Sequence, residues 1–147
     1  MNKKSKVIDC FEKEYAFLSN FYESPITIEG LTYLSSEGAY QAMKTNNEED
    51  RIEISKSLPS RAKRLGQKVE LRANWDTIKV GVMFSIVYDK FVNNPVLAKK
   101  LTDTGDAILI EGNYWGDTFW GVCKGAGKNN LGEVLMGVRD ICNHSKK

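Results

Sequence analysis

The strongest pattern in the chain is helical. From Thr77 to Val92 the apolar residues Ile78, Val82, Met83, Ile86, Val87 and Phe91 recur at helical spacing. That periodicity predicts one long amphipathic helix, with Asp76 as its N-cap. A second apolar stripe, Leu131, Leu135, Val138 and Cys142, predicts a final helix over about Leu131 to Ile141. Ahead of these, Val7 to Phe11 reads as a short strand. Ile26 to Leu34 alternates apolar and polar residues around Glu29-Gly30, a turn pair, with Pro25 at the entry. This predicts a hairpin.

Punctuation residues supply the remaining elements. Ser35 or Ser36 caps a helix running to about Lys44. Asn47 to Ser57 is charged and compatible with a helix. Pro59 suits the first turn of another, which Gly66 ends. Pro95 opens a helix to about Leu101, Gly105-Asp106 makes a turn, and Ala107 to Ile110 is a short apolar strand. Short strands and several helices without βαβ rhythm predict an α+β domain, mostly helical with a small sheet. With 147 residues, the expectation is one domain over the whole chain, 1–147.

Composition narrows the chemistry. The chain is 41% hydrophobic and 27% charged, as a globular protein is. Its net charge of +2 gives no global reason for nucleic-acid binding. Three widely spaced cysteines, Cys10, Cys123 and Cys142, suggest neither a disulfide framework nor a zinc site. A single histidine, His144, sits in a polar tail with the terminal lysine pair, so a histidine-based triad is not expected. The start of the chain is basic, but Asp9 breaks any apolar run, and no segment has membrane-spanning length. The expected location is the cytoplasm, with no cofactor and no metal.

Four segments carry candidate chemistry. The first is Glu37-Gly-Ala-Tyr-Gln-Ala-Met-Lys44. Residues seven apart fall on nearly the same helix face, separated by roughly 10 Å along the axis. Glu37, Gln41 and Lys44 therefore form a row of carboxylate, amide and amine, with Tyr40 beside it. From spacing alone, a solvated helix face is the more ordinary reading. The second is Glu111 to Gly121, where Trp115 and Trp120 flank Asp117 in a glycine-rich loop. The tryptophans either cover a base or sugar, or plug the core beneath the loop. The third is Gly125 to Gly132, whose glycines precede a helix and can offer backbone N–H groups to a phosphate, or simply cap the helix. The fourth, Phe17-Leu-Ser-Asn-Phe21, is a turn with polar atoms between apolar ones.

Taken in order, these segments resemble a known family. FLSNF, SSEGAYQAMK, the Pro-x-x-Ala-Lys-x-x-Gly run at Pro59 to Gly66, NWDTIKVGVM, Lys90-Phe91, TGDAILIEGN, DTFWG and GKNNLGEVLMGVR are similar to the motifs of the NADAR domain, the family of the YbiA-type N-glycosidases. The match spans about Phe11 to Arg139. The resemblance implies hydrolysis of the C1′–N bond of phosphorylated ribosyl N-glycosides, either riboflavin-pathway intermediates or ADP-ribosyl-guanine conjugates. It implies that Glu37 holds the catalytic glutamate position and Lys44 the reactive lysine position. Asn20, Trp75, Asp117, Trp120 and Asn129 match pocket positions. Ser19, Phe21, Tyr40, Gln41, Gly121 and Lys128 complete the expected substrate-binding set, with Asp117 either a second carboxylate or a ligand for ribose hydroxyls. The expected partner is a small phosphorylated N-glycoside, or an ADP-ribosylated nucleic acid. A non-catalytic module that sequesters ADP-ribose nucleotides is the alternative, disfavoured because a binder needs neither Glu37 nor Lys44. The chain departs from the family pattern at Gly38, where a histidine often follows the glutamate, and in the Gly-rich stretch VCKGAG.

Overall fold

A computed structural model describes residues 5–145. The basic start of the chain and the terminal lysine pair lie outside the described residues. The fold is α+β, with three two-stranded sheets and six α-helices among the described residues. Two compact units are distinguished. One contains the chain up to Ser19 and from Phe91 onward, and the other contains Asn20–Lys90.

The second unit is built on the predicted hairpin. Strands β2 (Glu23–Ile28) and β3 (Leu31–Ser35) pair antiparallel through Ile26↔Tyr33 and Ile28↔Leu31. Glu29 and Gly30 both take positive φ, 47° and 85°, as a tight hairpin turn requires. Pro25 sits where the register shifts between Glu23 and Ile26, a position that tolerates a residue without an N–H. Ile26 and Tyr33 point inward and are fully buried.

Helix α1 (Ser36–Met43) follows β3 directly, and the cap is Ser35, whose Oγ accepts from the Gly38 N–H at 3.0 Å. α2 (Glu48–Ser55) is capped by Asn47, and α3 (Pro59–Gly66) has proline in its first turn as predicted. Both pack on α1. Every residue of α1 is buried, so its polar residues cannot be a solvated face. α4 runs Trp75–Val92. It starts ahead of Asp76, which is not the cap: the Asn74 carbonyl, on a residue at φ 63°, accepts from Thr77 and Ile78. Asp76 lies in the first turn and pairs with Lys79.

In the first unit, β1 shrinks to Val7–Ile8 and pairs parallel with β4 (Ile108–Leu109). A 3-10 helix, Lys13–Leu18, follows β1. α5 (Pro95–Thr102) is capped by Asn94, and α6 (Asn130–His144) packs on α5 and β4. Leu131, Leu135, Val138 and Cys142 of α6 are buried as the stripe predicts. His144 is exposed at the end of α6, with Nδ1 2.6 Å from the Asp140 carbonyl, so it belongs to the helix and not to a tail. β5 (Gly112–Asn113) and β6 (Val122–Cys123) pair parallel and frame the aromatic loop. No described helix is long and apolar enough to cross a membrane. No disulfide joins Cys10, Cys123 and Cys142.

Candidate active site

The predicted row on α1 exists, and it is buried. Glu37 is 8% exposed and Gln41 4%. Gln41 Nε2 donates to Glu37 Oε2 at 2.6 Å, a short bond that fixes the carboxyl rotamer. The Gln41 Oε1 is buried without a hydrogen-bond partner. An orphaned acceptor of this kind costs about 1–3 kcal/mol, a cost borne to hold the amide in this orientation. The Glu37 N–H donates at 2.9 Å to the carbonyl of Asn20, so the Asn20-Phe21 turn anchors the start of α1. Asn20 Nδ2 reaches Met83 Sδ at 3.6 Å.

Lys44 sits at the other end of the row, as the last cap of α1. Its carbonyl accepts from the Arg72 N–H at 2.7 Å. Its Nζ lies 5.8 Å from the centre of the Tyr40 ring, and Tyr40 in turn packs on Trp75 with ring centres 5.3 Å apart. Tyr40 and Trp75 are both buried and form an aromatic wall beside the amine. Burial pushes the Lys44 ammonium below its ordinary pKa. Glu37 acts the other way, while Lys63 and Lys79 add to the lowering. The result is an amine more readily neutral than a surface lysine.

Helix α3 shapes the row through one missing side chain. A Cβ on Gly66 would lie 1.9 Å from Gln41 Oε1 and 2.8 Å from Gln41 Cβ. Gly66→Ala is therefore expected to drive Gln41 off the Glu37 carboxylate. It should lower melting stability by about 1–3 kcal/mol, as overpacking does, and reduce turnover at the same time. Thermal denaturation with a parallel activity assay reads both effects. Gly38, by contrast, points away from the row. A Cβ there would meet Ser35 Oγ and Tyr33 Cβ at 3.6 and 3.7 Å, ordinary contacts on the hairpin side. The glycine thus leaves the Glu37–Gln41 pair undisturbed.

The other predicted residues gather in the first unit. Asp117 Oδ1 accepts from the N–H groups of Phe119 and Trp120 at 3.1 and 2.8 Å, which shapes the aromatic loop. Asn113 clamps the same turn, donating to the Asp117 carbonyl and accepting from its N–H. Trp115 is 55% exposed and Tyr114 86%, so Trp115 does not plug the core. Trp120 is half-buried, edge-on to Phe119 with centres 4.9 Å apart. Gly121 is buried, and a side chain there would collide with Glu111. Asn129, at φ 53°, uses both ends of its amide. Oδ1 accepts from the Glu111 N–H and Nδ2 donates to the Leu109 carbonyl. The Asn129 side chain thus ties the loop to β4 and does not cap α6. Lys128 is exposed, with Nζ 5.7 Å from the Phe119 ring centre. Ser19 ends the chain's first stretch in this unit and is partly covered.

The NADAR domain model matches residues 8–142. The chain belongs to the NADAR domain family. Among NADAR relatives, the N-glycosidase YbiA of Escherichia coli (strain K12) is 37% identical over 134 residues, covering 86% of this chain and 81% of that protein. A riboflavin biosynthesis protein of Vibrio vulnificus is 38% identical over 133 residues. The match takes in 88% of this chain but spans only 36% of the Vibrio protein's length. The NMR structure of E. coli YbiA superposes with a TM-score of 0.85 at 34% identity, covering 98% of this chain and 89% of that one.

Sequence reasoning passed over Lys63, Gly66, Arg72 and Lys79, all of which touch or charge the row. A local charge count signals them. From Arg61 to Lys79 there are six basic residues and two acidic ones, a balance of +4, leaving −2 for the rest of a chain whose total is +2. Averaging over the whole chain conceals that tract.

Proposed function

We propose that this NADAR domain is an N-glycosidase that hydrolyses the C1′–N bond of phosphorylated ribosyl N-glycosides, with Glu37 and Lys44 as its catalytic pair. The observation that carries the reading is the buried Glu37–Gln41 bond in line with a lysine whose pKa is lowered by burial. A carboxyl group and a neutral amine on one helix face can divide the reaction between them. The N-glycosidase names of its relatives point to the same reaction class.

The protonated Glu37 gives its proton to the ribose ring oxygen as the C1′–O4′ bond opens, leaving an iminium between C1′ and the base nitrogen. The neutral Lys44 Nζ adds to C1′. The C1′–N bond to the base then breaks as the base nitrogen takes a proton from Nζ, and C1′ becomes a protonated Schiff base of Lys44. The Glu37 carboxylate takes a proton from the incoming water, which releases the open sugar and restores the amine. One water is consumed and no redox change occurs. Tyr40 and Trp75 line the amine's side of this path and keep it poorly hydrated. In the other unit, Asp117 shapes the loop that carries Trp120.

The test is incubation with a panel of 5′-phosphorylated and ADP-ribosyl N-glycosides, watching for free base. Borohydride added during turnover should reduce the Schiff base to a stable secondary amine. Peptide mass mapping is expected to place that adduct on Lys44. Base release without any adduct at Lys44 would overturn the Schiff-base step. Tight binding of ADP-ribose with no base released from any glycoside would favour a sequestering module instead.

A further inference from the structure

The cations around the row have a geometry of their own. On α3, Lys63 lies one turn before Gly66, the residue pressed against Gln41, so Lys63 rises on the helix face turned toward the row. Its Nζ is 5.9 Å from the Phe21 ring centre, and Phe21 follows Asn20, whose carbonyl holds the Glu37 N–H. On α4, Lys79 lies one turn after Trp75, the ring packed against Tyr40 beside Lys44. Its side chain is only 21% exposed, although its partner Asp76 is 91% exposed and so is screened by water. Lys63 and Lys79, on separate helices, thus both act on Lys44, Lys63 the more strongly.

We propose that Lys63 and Lys79 bind the substrate's phosphate across the Glu37–Lys44 row. This inference rests on the proposed N-glycosidase reading and assigns that reading its anion site. Lys63 and Lys79 repel a charged Lys44, as the influence of both on it shows. A bound dianion removes that repulsion. Lysine is a point-charge phosphate binder, and two of them on separate helices fix the distance from the phosphate to C1′ without demanding a planar fork. With the phosphate in place, burial still remains as the largest cause of the low Lys44 pKa, so the amine stays available for attack. The site differs from the Lys128–Asn129 loop suggested by motif, where the Asn129 amide is spent on Glu111 and Leu109.

The test measures binding apart from turnover. Inorganic phosphate and pyrophosphate are titrated into wild-type protein, Lys63→Gln, Lys79→Gln and, as a control on the same helix, Arg64→Gln. Affinity is expected to fall about tenfold in each lysine variant and to stay unchanged in the control, as loss of one charge-assisted contact implies. In parallel, the ratio of kcat/KM for a 5′-phosphorylated glycoside to that for its dephosphorylated form should drop by the same factor. A diphosphate-linked ADP-ribosyl glycoside run beside the monophosphate tells which anion the lysines prefer. Phosphate affinity unchanged in both lysine variants overturns the anion site, whatever the activity. Absence of base release from every glycoside, with the lysine-dependent phosphate binding intact, overturns the glycosidase reading and leaves the site standing.

Discussion

Lys44→Ala is expected to lower kcat by about 10⁴-fold or more, the loss that follows removal of a covalent nucleophile. Lys44→Arg should be equally inactive. Arginine keeps the positive charge but cannot be neutral near pH 7 and so cannot add to C1′. Rescue by arginine would mean that Lys44 acts only as a cation, and the Schiff-base path would be wrong. Glu37→Gln keeps the shape and the bond to Gln41 but carries no transferable proton, so a loss of about 10²–10⁴-fold is expected. All three variants should fold. Lys44 is only half-buried at the end of α1, and Gln fits where Glu37 sits. Circular dichroism and a melting curve check this before the kinetics are read. The pH dependence follows from the direction of the Lys44 shift. The amine must be neutral to attack, so kcat rises with pH through the Lys44 pKa, and burial places that rise below the ordinary 10.5. Removing Lys63 removes one of the like charges that lower it, so in Lys63→Gln the rise should move toward higher pH.

Stability should depend on pH through a different lysine. Lys90 is 2% exposed near the end of α4, with Nζ 5.7 Å from the Tyr22 ring centre. Burial pushes its pKa down from 10.5 to about 7. In the unfolded chain the same group keeps its ordinary value. Between these values the unfolded state holds the proton and the folded state has released it, so stability rises as pH increases. Below about 7 both states are protonated and the dependence stops. From pH 7 to 9 the gain should be about 2 kcal/mol, read as a rising urea midpoint. Tyr33, whose phenol is raised by burial, works in the opposite sense but only near and above its ordinary pKa of 10. Lys90→Met should flatten the slope and raise stability at pH 7 by at least about 1 kcal/mol, since an apolar side chain replaces a buried cation. An unchanged slope in Lys90→Met would show that another group titrates there.

Much of this molecule was legible in one dimension. The helical stripes of α4 and α6, the Glu29-Gly30 hairpin, the proline starts of α3 and α5 and the serine cap of α1 are local matters. Each is decided by a period or by a φ preference that a few neighbouring residues express. The row Glu37, Gln41, Lys44 followed from helix geometry in the same way, and the ordered motifs named the family that the comparison of chains establishes. Boundaries were less sharp. Asp76 resembles a cap by residue type, yet Asn74 in the left-handed region begins the helix before it. Trp115 and Trp120 are alike as letters and differ in exposure because only the folded loop decides which ring turns outward.

Tertiary structure alone decided whether the row is a solvated face. A carboxylate, an amide and an amine on one helix face are equally consistent with a solvated surface until α2, α3 and the hairpin close over α1. Packing removes the water, and that removal makes the Glu37–Gln41 bond strong and the Lys44 amine easier to deprotonate. Gly66, Lys63 and Lys79 reach the row from helices far along the chain, at separations no local period encodes. The sequence by itself determined the order of elements and the face on which Glu37, Gln41 and Lys44 stand. Burial and the convergence of distant charges, which depend on distance in space and on local dielectric, set the chemistry those groups can perform.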